Sequence, residues 1–220
     1  MHRYLSHITG LFVAILLISG IVSTKIIQFG PFTFDGGTLL FPLSYIFGDI
    51  LTEVYGYKES RKVIWIGLVS MVLMSAMILL IGRLPAAGDW TFQADYNNIL
   101  MIAPRIFIGS IVAYFAGEFV NSYILAKMKI ALQGTKLWMR TIWSTLVAQL
   151  FDTVIMITIA FRWVFDTDTF VMIILSNYIF KVAVEIIFTP VTYAVVWWLK
   201  KREDSDVYDV GTDFNPFLIK

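Results

Sequence analysis

The sequence predicts an all-α, polytopic membrane protein with six transmembrane helices, and three observations carry this prediction. Hydrophobic side chains make up 58% of the 220 residues, and charged residues make up 15%, whereas soluble domains carry about 25% charged residues. Six nearly uncharged runs are each long enough to cross a hydrocarbon core of about 30 Å. The basic residues fall on alternate connections between these runs. Together these features exclude an ordinary soluble domain.

The six predicted spans form one domain, residues 1–202, and an acidic tail follows at 203–220. The spans are 6–27, 37–55, 61–82, 104–127, 140–162 and 170–199. A signal peptide is the alternative for the first span, but no small-residue cleavage site follows its apolar run, so we interpret it as a retained helix. Pro31 and Asp35 mark turns. We expect the 83–103 connection to be an ordered loop, with a short interfacial helix or a lid as the alternative.

The basic residues predict that both termini lie in the cytoplasm. Alternating connections place twelve Lys and Arg residues on the side of the termini and four on the other side, and cytoplasmic connections are the ones enriched in Lys and Arg. The four residues on the other side are Lys25, Arg83, Arg105 and Arg162. We therefore expect a multi-pass protein with an N-in, C-in topology.

The residue types that are rare or absent limit the chemical reactions and metal sites that this chain can support. The chain has no cysteine, and its two histidines, His2 and His7, lie at the N-terminus, so thiolate, disulfide and histidine-based metal chemistry have almost no residues to use. No nucleotide-binding motif occurs. We expect no cofactor, no metal site, no catalytic residue and no nucleic-acid partner, and we expect membrane lipids to surround most of the chain.

Six ionisable side chains fall inside the predicted spans, where each costs about 2.5–3.5 kcal/mol on insertion scales. They are Asp49, Glu53, Glu118, Asp152, Lys181 and Glu185. Polar or aromatic neighbours at helical spacing on the same faces are Tyr45, Tyr114, Asn121 and Gln149. Four helices with one polar face each are stable only if the faces converge. The sequence therefore predicts a polar pocket near the bilayer midplane.

We interpret this pocket as a substrate or ion pathway. Hydrogen bonding between helices would explain a lone Asn or Gln, but five carboxylates exceed the one obvious internal cation, Lys181. Lys181 is also spaced to pair with Glu185 at i,i+4. The surplus acids must be hydrated, protonated or paired with a ligand. A weak internal repeat, residues 117–124 with 148–155, adds matching polar groups on two helices, as transporter repeats do.

Several motifs resemble those of one known family. Residues 41–57 read FPLSYIFGDILTEVYGY and residues 208–217 read YDVGTDFNPF. Between them come Gly117-Glu118 with Asn121-Ser122, Arg140 with Ser144-Thr145, Gln149 with Asp152-Thr153, and Lys181 with Glu185, Thr189-Pro190 and Tyr193. This set resembles the queuosine precursor transporter family, six-helix bacterial inner-membrane proteins once grouped as vitamin uptake transporters. Family members often have Thr at the position of Gly48 and Ser or Gly near Ala148.

The resemblance implies a secondary transporter that imports 7-deazaguanine precursors of queuosine, either 7-cyano-7-deazaguanine or its aminomethyl relative. Their guanine-like edge presents N1–H beside an amine, which one carboxylate can accept bidentately. The candidates for this edge are Asp152, Glu118 and Glu185. The candidates for the remaining ring atoms are Gln149 and Asn121, and those for stacking are Tyr45, Tyr114, Phe151 and Tyr178. Asp49, Glu53 and Lys181 complete the predicted substrate-binding set.

Several alternatives stay open at this point. Proton coupling and facilitated diffusion both fit alternating access, and a homodimer fits as well as a monomer. The alternative function is the substrate-binding subunit of an energy-coupling-factor importer, for which Ser19-Gly20 and Ser23-Thr24 would form a thin docking face. An intramembrane aspartyl protease would need Asp49 and Asp152 as its paired acids. Its flanking motifs are absent, so we expect no enzymatic activity.

Overall fold

The computed structural model describes residues 2–29, 32–101, 104–162 and 166–218. Its α-helices within these ranges are α1 (Leu5–Val22), α2 (Phe41–Ile50), α3 (Tyr57–Arg83), α4 (Gln93–Ile99), α5 (Pro104–Ala131), α6 (Leu137–Phe161) and α7 (Thr167–Glu203). A short antiparallel hairpin, β1 (Ile26–Phe29) with β2 (Phe32–Asp35), lies between α1 and α2. The all-α class is confirmed. The predicted turn at Pro31 and the basic residue Lys220 lie outside the described residues.

Five helices of the described chain are long and apolar enough to cross a membrane. These stretches are Leu5–Val22, Tyr57–Arg83, Ile108–Ala131, Leu137–Ile159 and Phe170–Glu203. They match the first, third, fourth, fifth and sixth predicted spans. The prediction of a polytopic membrane protein is therefore confirmed.

The second predicted span, 37–55, is built from three shorter helical pieces. A 3-10 segment (Gly36–Leu39) leads into α2, which has a proline in its first turn, and a π segment (Leu51–Tyr55) follows α2. Proline is tolerated at the start of a helix because the first N–H groups have no partner there. The span ends at Gly56, whose φ of 82° is accessible to glycine at little cost. This backbone turn separates the π segment from α3.

Polar side chains lie inside the helix bundle and large apolar side chains cover its outside. Ile187 is 70% exposed and Leu73 is 61% exposed, whereas Asp49 and Asn121 are fully buried. This distribution suits a chain whose outer surface contacts lipid.

Helix α5 is the most buried span and packs most extensively on α6. Buried hydroxyl groups of Thr52, Ser60 and Ser122 lie 3.0 Å from one another and join the second span, α3 and α5.

Two connections differ from the sequence prediction. Helix α1 ends at Val22, earlier than the predicted residue 27, because the chain turns into the β-hairpin. The 83–103 connection contains helix α4, so the expectation of an ordered loop is wrong for residues 93–99. Hydrogen bonds hold α4 against the end of α3: Gln93 Nε2 donates to the Gly82 carbonyl at 3.1 Å, and Tyr96 Oη donates to the Ile78 carbonyl at 3.1 Å.

Both ends of the chain lie on the same side of the bundle. The backbone N–H groups of Arg3 and Tyr4 donate to the Glu203 carboxylate at 2.9 and 2.5 Å. Glu203 is the last residue of α7. The residues that follow, 204–218, contain no helix or strand and lie against the same end of the bundle.

Candidate functional site

The predicted site residues separate into two groups inside the bundle. The larger group, here called the central cluster, consists of Tyr45, Asp49, Glu118, Asn121, Gln149, Asp152, Lys181 and Glu185. The other, here called the Glu53 cluster, consists of Glu53 with Arg140, Lys129 and Lys200. Tyr114 lies beside the central cluster and faces α3. Every carboxylate in the two groups is at most 4% exposed.

Four helices supply the central cluster, two side chains each. Tyr45 and Asp49 come from α2, Glu118 and Asn121 from α5, Gln149 and Asp152 from α6, and Lys181 and Glu185 from α7. Each pair is three or four residues apart, which places both members on one face of their helix. The predicted convergence of four polar faces is what the structure shows for these helices.

Two direct contacts link the central cluster across helix interfaces. Asn121 Nδ2 donates to Asp49 Oδ1 at 2.7 Å, joining α5 to α2. Lys181 Nζ donates to Asp152 Oδ2 at 2.7 Å, joining α7 to α6. The sequence spacing predicted a pair between Lys181 and Glu185 instead. That prediction is wrong because the ammonium group of Lys181 reaches the carboxylate of the neighbouring helix.

Two glycines allow the helices of the central cluster to approach closely. A Cβ atom at Gly48 would lie 2.8 Å from Glu118 Oε2, and one at Gly117 would lie 2.7 Å from Tyr45 Oη. The Gly117 position also lies 3.1 Å from Asp152 Cβ. These contacts place the Glu118 carboxylate against α2 and the Tyr45 hydroxyl between α5 and α6.

Many buried oxygen atoms of this interior have no hydrogen-bond partner among the described residues. Five of them belong to carboxylate or amide groups of the central cluster: Asp49 Oδ2, Glu118 Oε2, Asn121 Oδ1, Gln149 Oε1 and Glu185 Oε1. Three more are the hydroxyl oxygens of Thr145, Thr153 and Thr192. Buried polar atoms without partners are rare and costly. The five carboxylate and amide oxygens are all acceptors, so this interior is suited to a ligand rich in N–H donors.

The central cluster also carries an excess of acidic groups. It contains four carboxyl groups, Asp49, Glu118, Asp152 and Glu185, and one ammonium group, Lys181, so four minus one leaves three acids without a cation of their own. The nearby cations Arg140, Lys129 and Lys200 are engaged by other groups. Buried acids of this kind need water, protons or a cationic or N–H-donating ligand.

Glu53 differs from the other acids because basic side chains saturate its carboxylate. Both terminal nitrogens of Arg140 donate to it, and Lys200 Nζ donates to Oε1 at 2.6 Å. Lys129 Nζ lies 3.6 Å from Oε1 and donates to the Glu53 carbonyl at 2.6 Å. Sequence reasoning missed these partners because basic residues at the ends of spans look like ordinary topology determinants.

The aromatic candidates lie in different surroundings. Tyr45 is buried and its hydroxyl lies beside Gly117 and Asp152. Tyr114 Oη donates to the Ile64 carbonyl at 3.2 Å, and Tyr178 Oη donates to the Leu146 carbonyl at 3.1 Å. Phe151 is 47% exposed on the outer face of α6. Tyr45 is therefore the candidate whose ring the structure places among the acids.

The arrangement does not assemble the paired acids of an aspartyl protease. Asp49 binds Asn121, whereas Asp152 binds Lys181, so each acid is engaged by a different partner. Within the part of the chain that the structure describes, no three His, Asp or Glu side chains form a metal-binding group. A multi-pass helical bundle whose buried acids face a common interior is typical of membrane transport proteins.

Comparison with known proteins identifies the family. Residues 35–195 match the family model described as "Putative vitamin uptake transporter". Because this match covers well over half of the chain, the protein belongs to that family. It is a multi-pass transporter of the bacterial inner membrane and not an enzyme. No solved structure matches the chain.

Relatives from three bacteria resemble most of the chain. A "Probable queuosine precursor transporter" of Bacillus subtilis is 30% identical over 185 residues, which are 82% of this chain and 80% of the relative. The "Queuosine precursor transporter" of Escherichia coli is 25% identical over 80% of this chain and 78% of the relative. A "Probable queuosine precursor transporter" of Haemophilus influenzae is 23% identical over 73% of this chain and 67% of the relative.

Proposed function

We propose that this protein imports 7-deazaguanine precursors of queuosine, 7-cyano-7-deazaguanine or 7-aminomethyl-7-deazaguanine, as a secondary transporter. The names of its relatives support the substrate class. The observation that carries the proposal is the set of five unpartnered acceptor oxygens in the central cluster. A 7-deazaguanine is a planar base whose N1–H and exocyclic amine donate from one edge, and such an edge is complementary to this set.

Glu118 is our candidate for the carboxylate that accepts the N1–H and amine edge. Its Oε2, like Oε1 of Glu185, has no hydrogen-bond partner among the described residues, whereas Asn121 occupies one oxygen of Asp49 and Lys181 occupies one oxygen of Asp152. Gln149 and Asn121 would bind other polar atoms of the base through their amide groups. Tyr45 would contribute the stacking face, because a flat base and an aromatic ring stack whatever the ring substituents are.

Transport would proceed by alternating access around the central cluster, with no covalent step. The substrate N–H groups would satisfy the free acceptor oxygens, which lowers the cost of burying them. Release would return these oxygens to water. If Asp152 takes up a proton as it releases Lys181, transport is coupled to the proton gradient, whereas facilitated diffusion needs no such step. Uptake in the presence of a proton uncoupler separates the two mechanisms.

The alternative, a subunit of an energy-coupling-factor importer, would need a free docking face on α1. The small residues there make contacts inside this chain. Ser19 Oγ donates to the Gly37 carbonyl at 3.2 Å, and a Cβ atom at Gly20 would lie 3.1 Å from Met74 Cε of α3. Two of the four small residues are therefore engaged by this chain itself, which favours transport by the isolated chain.

The proposed function is tested by uptake of radiolabelled 7-cyano-7-deazaguanine and its aminomethyl relative into cells that neither make nor import them, with queuosine in tRNA as the readout. Cells that express the wild type should accumulate the label. Asp152→Asn should lower the uptake rate by about 10- to 100-fold, the effect of losing a charged hydrogen bond worth about 1.5–3 kcal/mol.

The matched control for this experiment is Asp95→Asn, because Asp95 is exposed in α4. It should transport like the wild type. If a well-expressed, membrane-inserted wild type takes up neither compound, the substrate assignment is wrong. If Asp152→Asn transports at the wild-type rate, the buried carboxylate has no part in transport.

A further inference from the structure

The tail after α7, residues 204–218, is bound to the helix bundle along its length. Near its start, Ser205 Oγ donates to the Val54 carbonyl of the π segment at 3.2 Å. Near its end, the Pro216 carbonyl accepts from Trp65 Nε1 of α3 at 2.8 Å. The Phe214 carbonyl accepts from Tyr57 Oη at 3.0 Å. A segment held at so many points is part of the folded bundle and not a free acidic tail.

One tail residue caps the N-terminus of α3. Asp209 is 4% exposed, and its Oδ2 accepts the backbone N–H of Tyr57, the first residue of α3, at 2.9 Å. The residue before Tyr57 is Gly56, which has no side chain to cap the helix itself. A carboxylate at a helix N-terminus satisfies a free N–H and interacts favourably with the helix dipole. Asp209 therefore caps the N-terminus of α3 in place of a residue adjacent to the helix.

The tail also supplies the acceptors for two buried cations. Arg61 Nη1 donates to the carbonyls of Asp213 and Asn215, each at 2.8 Å. Lys129 Nζ donates to Asp206 Oδ1 at 2.6 Å and to the Val207 carbonyl at 2.7 Å. Both side chains are almost completely buried. If the tail left, both cations would lose most of their partners, so its departure requires water to enter this end of the bundle.

These contacts connect the tail to the Glu53 cluster and through it to the central cluster. Asp206 bridges Lys129 and Lys200, the two lysines that also approach Glu53. Glu53 lies four residues after Asp49 in the second span, which is about one helical turn. The Glu53 cluster thus lies between the central cluster and the tail, on the side of the bundle that holds both termini.

We propose that residues 204–218 are a latch that closes the central cluster on the side of the termini and must leave α3 and α5 before that side can open. The inference rests on the proposed transport function, because only alternating access requires that side to open. The latch fastens three elements at once: the second span at Val54, α3 at Tyr57, Arg61 and Trp65, and α5 at Lys129. Releasing it frees the elements that hold Asp49 and Glu118.

The first test measures access to the interior without any substrate. The chain has no cysteine, so Thr145→Cys introduces a single thiol at a buried position of α6. A charged, membrane-impermeant thiosulfonate is added to vesicles of either orientation. Asp209→Asn removes the negative charge at the helix N-terminus and one of the two acceptors, which bind the Tyr57 N–H and the Thr212 hydroxyl. Adding this change should raise the labelling rate from the side of the termini by about tenfold, the effect of about 1.4 kcal/mol lost from the closed state. Labelling from the other side should not rise.

The matched control is Asp204→Asn, the same change at an exposed position of the tail, which should leave labelling unchanged. If Asp209→Asn leaves labelling from the side of the termini at the wild-type rate, the latch is wrong. Equal increases from both sides would also overturn it, because they would mean that Asp209 supports the fold and not one gate.

The second test keeps the native contacts and needs no destabilising variant. Lys58 and Val210 are exposed and adjoin the contact between Tyr57 and Asp209. With Lys58→Cys and Val210→Cys, a reducible bis-thiosulfonate cross-linker should hold the latch on α3. Uptake should fall to background while the link is intact and recover when it is reduced, whereas each single cysteine variant should transport normally. Undiminished uptake by the cross-linked protein would contradict the latch.

The two proposals fail in different ways. If the wild type takes up no 7-deazaguanine but Asp209→Asn raises one-sided labelling, the latch stands and the substrate assignment fails. If uptake is present but neither labelling nor cross-linking responds, the substrate assignment stands and the latch fails.

Discussion

At the scale of single residues, the absence of a side chain at Gly48 leaves room for the Glu118 carboxylate. A Cβ atom there would lie 2.8 Å from Glu118 Oε2, closer than real Cβ contacts. Gly48→Ala must therefore displace the carboxylate. Because a displacement of about 1 Å can cost up to about 100-fold in rate, we expect the initial rate of 7-deazaguanine uptake to fall at least about tenfold at equal protein level.

Two further variants show whether the effect of Gly48→Ala comes from crowding. Gly10→Ala is the matched control, since a Cβ atom at Gly10 meets nothing within 4 Å, and it should transport normally. Glu118→Asp shortens the crowded side chain and should restore part of the uptake lost by Gly48→Ala. Normal uptake by Gly48→Ala alone would show that the Glu118 position is not critical.

The ion pair of Lys181 and Asp152 gives a second prediction at this scale. Lys181→Met leaves Asp152 buried without its cation, which we expect to cost about 3–5 kcal/mol of stability. Adding Asp152→Asn removes the uncompensated charge, so the double variant should regain most of the lost thermal stability but not the uptake. Thermal unfolding in detergent measures the first effect and radiolabel uptake the second. Additive losses of stability would contradict the pairing.

The sequence predicts which residues lie inside the bundle better than it predicts their partners. Asp49, Glu118, Asp152 and Glu185 stand out because charged groups in a membrane segment are costly. Helical spacing, however, describes neighbours on one helix only, so it paired Lys181 with Glu185 instead of Asp152. The packing of α6 against α7 decides that contact, and no local pattern contains it.

At the scale of elements, the tail is the segment whose role the sequence left open. Its motif at 208–217 stood out, but its acidic composition predicted only a tail after the last span. The structure uses the backbone carbonyls of Asp213, Asn215 and Pro216 as acceptors for α3. Carbonyl groups are present at every residue, so sequence composition says nothing about which of them bind. The sequence also did not predict that the second span consists of short helical pieces, because their apolar residues fit one continuous span equally well.

Asp206 gives a prediction about pH for this element. Burial raises the pKa of its carboxyl, but hydrogen bonds from Lys129 and Lys200 and their charges outweigh burial and hold the pKa below its usual value. A lowered folded-state pKa means that Asp206 stabilises the docked tail above the unfolded-state pKa of about 3.9, and that this contribution is lost as the pH falls through the folded-state value.

We therefore expect Asp206→Asn to lower the unfolding temperature at neutral pH. The difference from the wild type should shrink below about pH 4. Thermal unfolding between pH 3 and pH 7 measures it, with Asp204→Asn as the control that shows no difference at any pH. A difference between Asp206→Asn and the wild type that persists unchanged at the acidic end would refute the ionised contact.

At the scale of the whole molecule, two distributions define the protein. Basic residues at the ends of the spans predict a topology with both termini on one side, and the contacts of Arg3 and Tyr4 with Glu203 place the start of α1 beside the end of α7. Acidic residues at the centres of the spans predict a shared interior, and four helices bring them together. Hydropathy and charge predict these two distributions because each span must meet the requirements of the lipid core by itself. The distances between spans do not follow from hydropathy or from charge.

The central claim is that this chain alone binds and carries a 7-deazaguanine through the central cluster. The most direct measurement is uptake of radiolabelled 7-aminomethyl-7-deazaguanine and 7-cyano-7-deazaguanine by proteoliposomes that contain only the purified chain, loaded with unlabelled compound. Our account predicts saturable exchange by the wild type, and exchange reduced by about 10- to 100-fold in Glu118→Gln, which loses a charged acceptor. No exchange by folded, reconstituted wild-type protein would contradict the account.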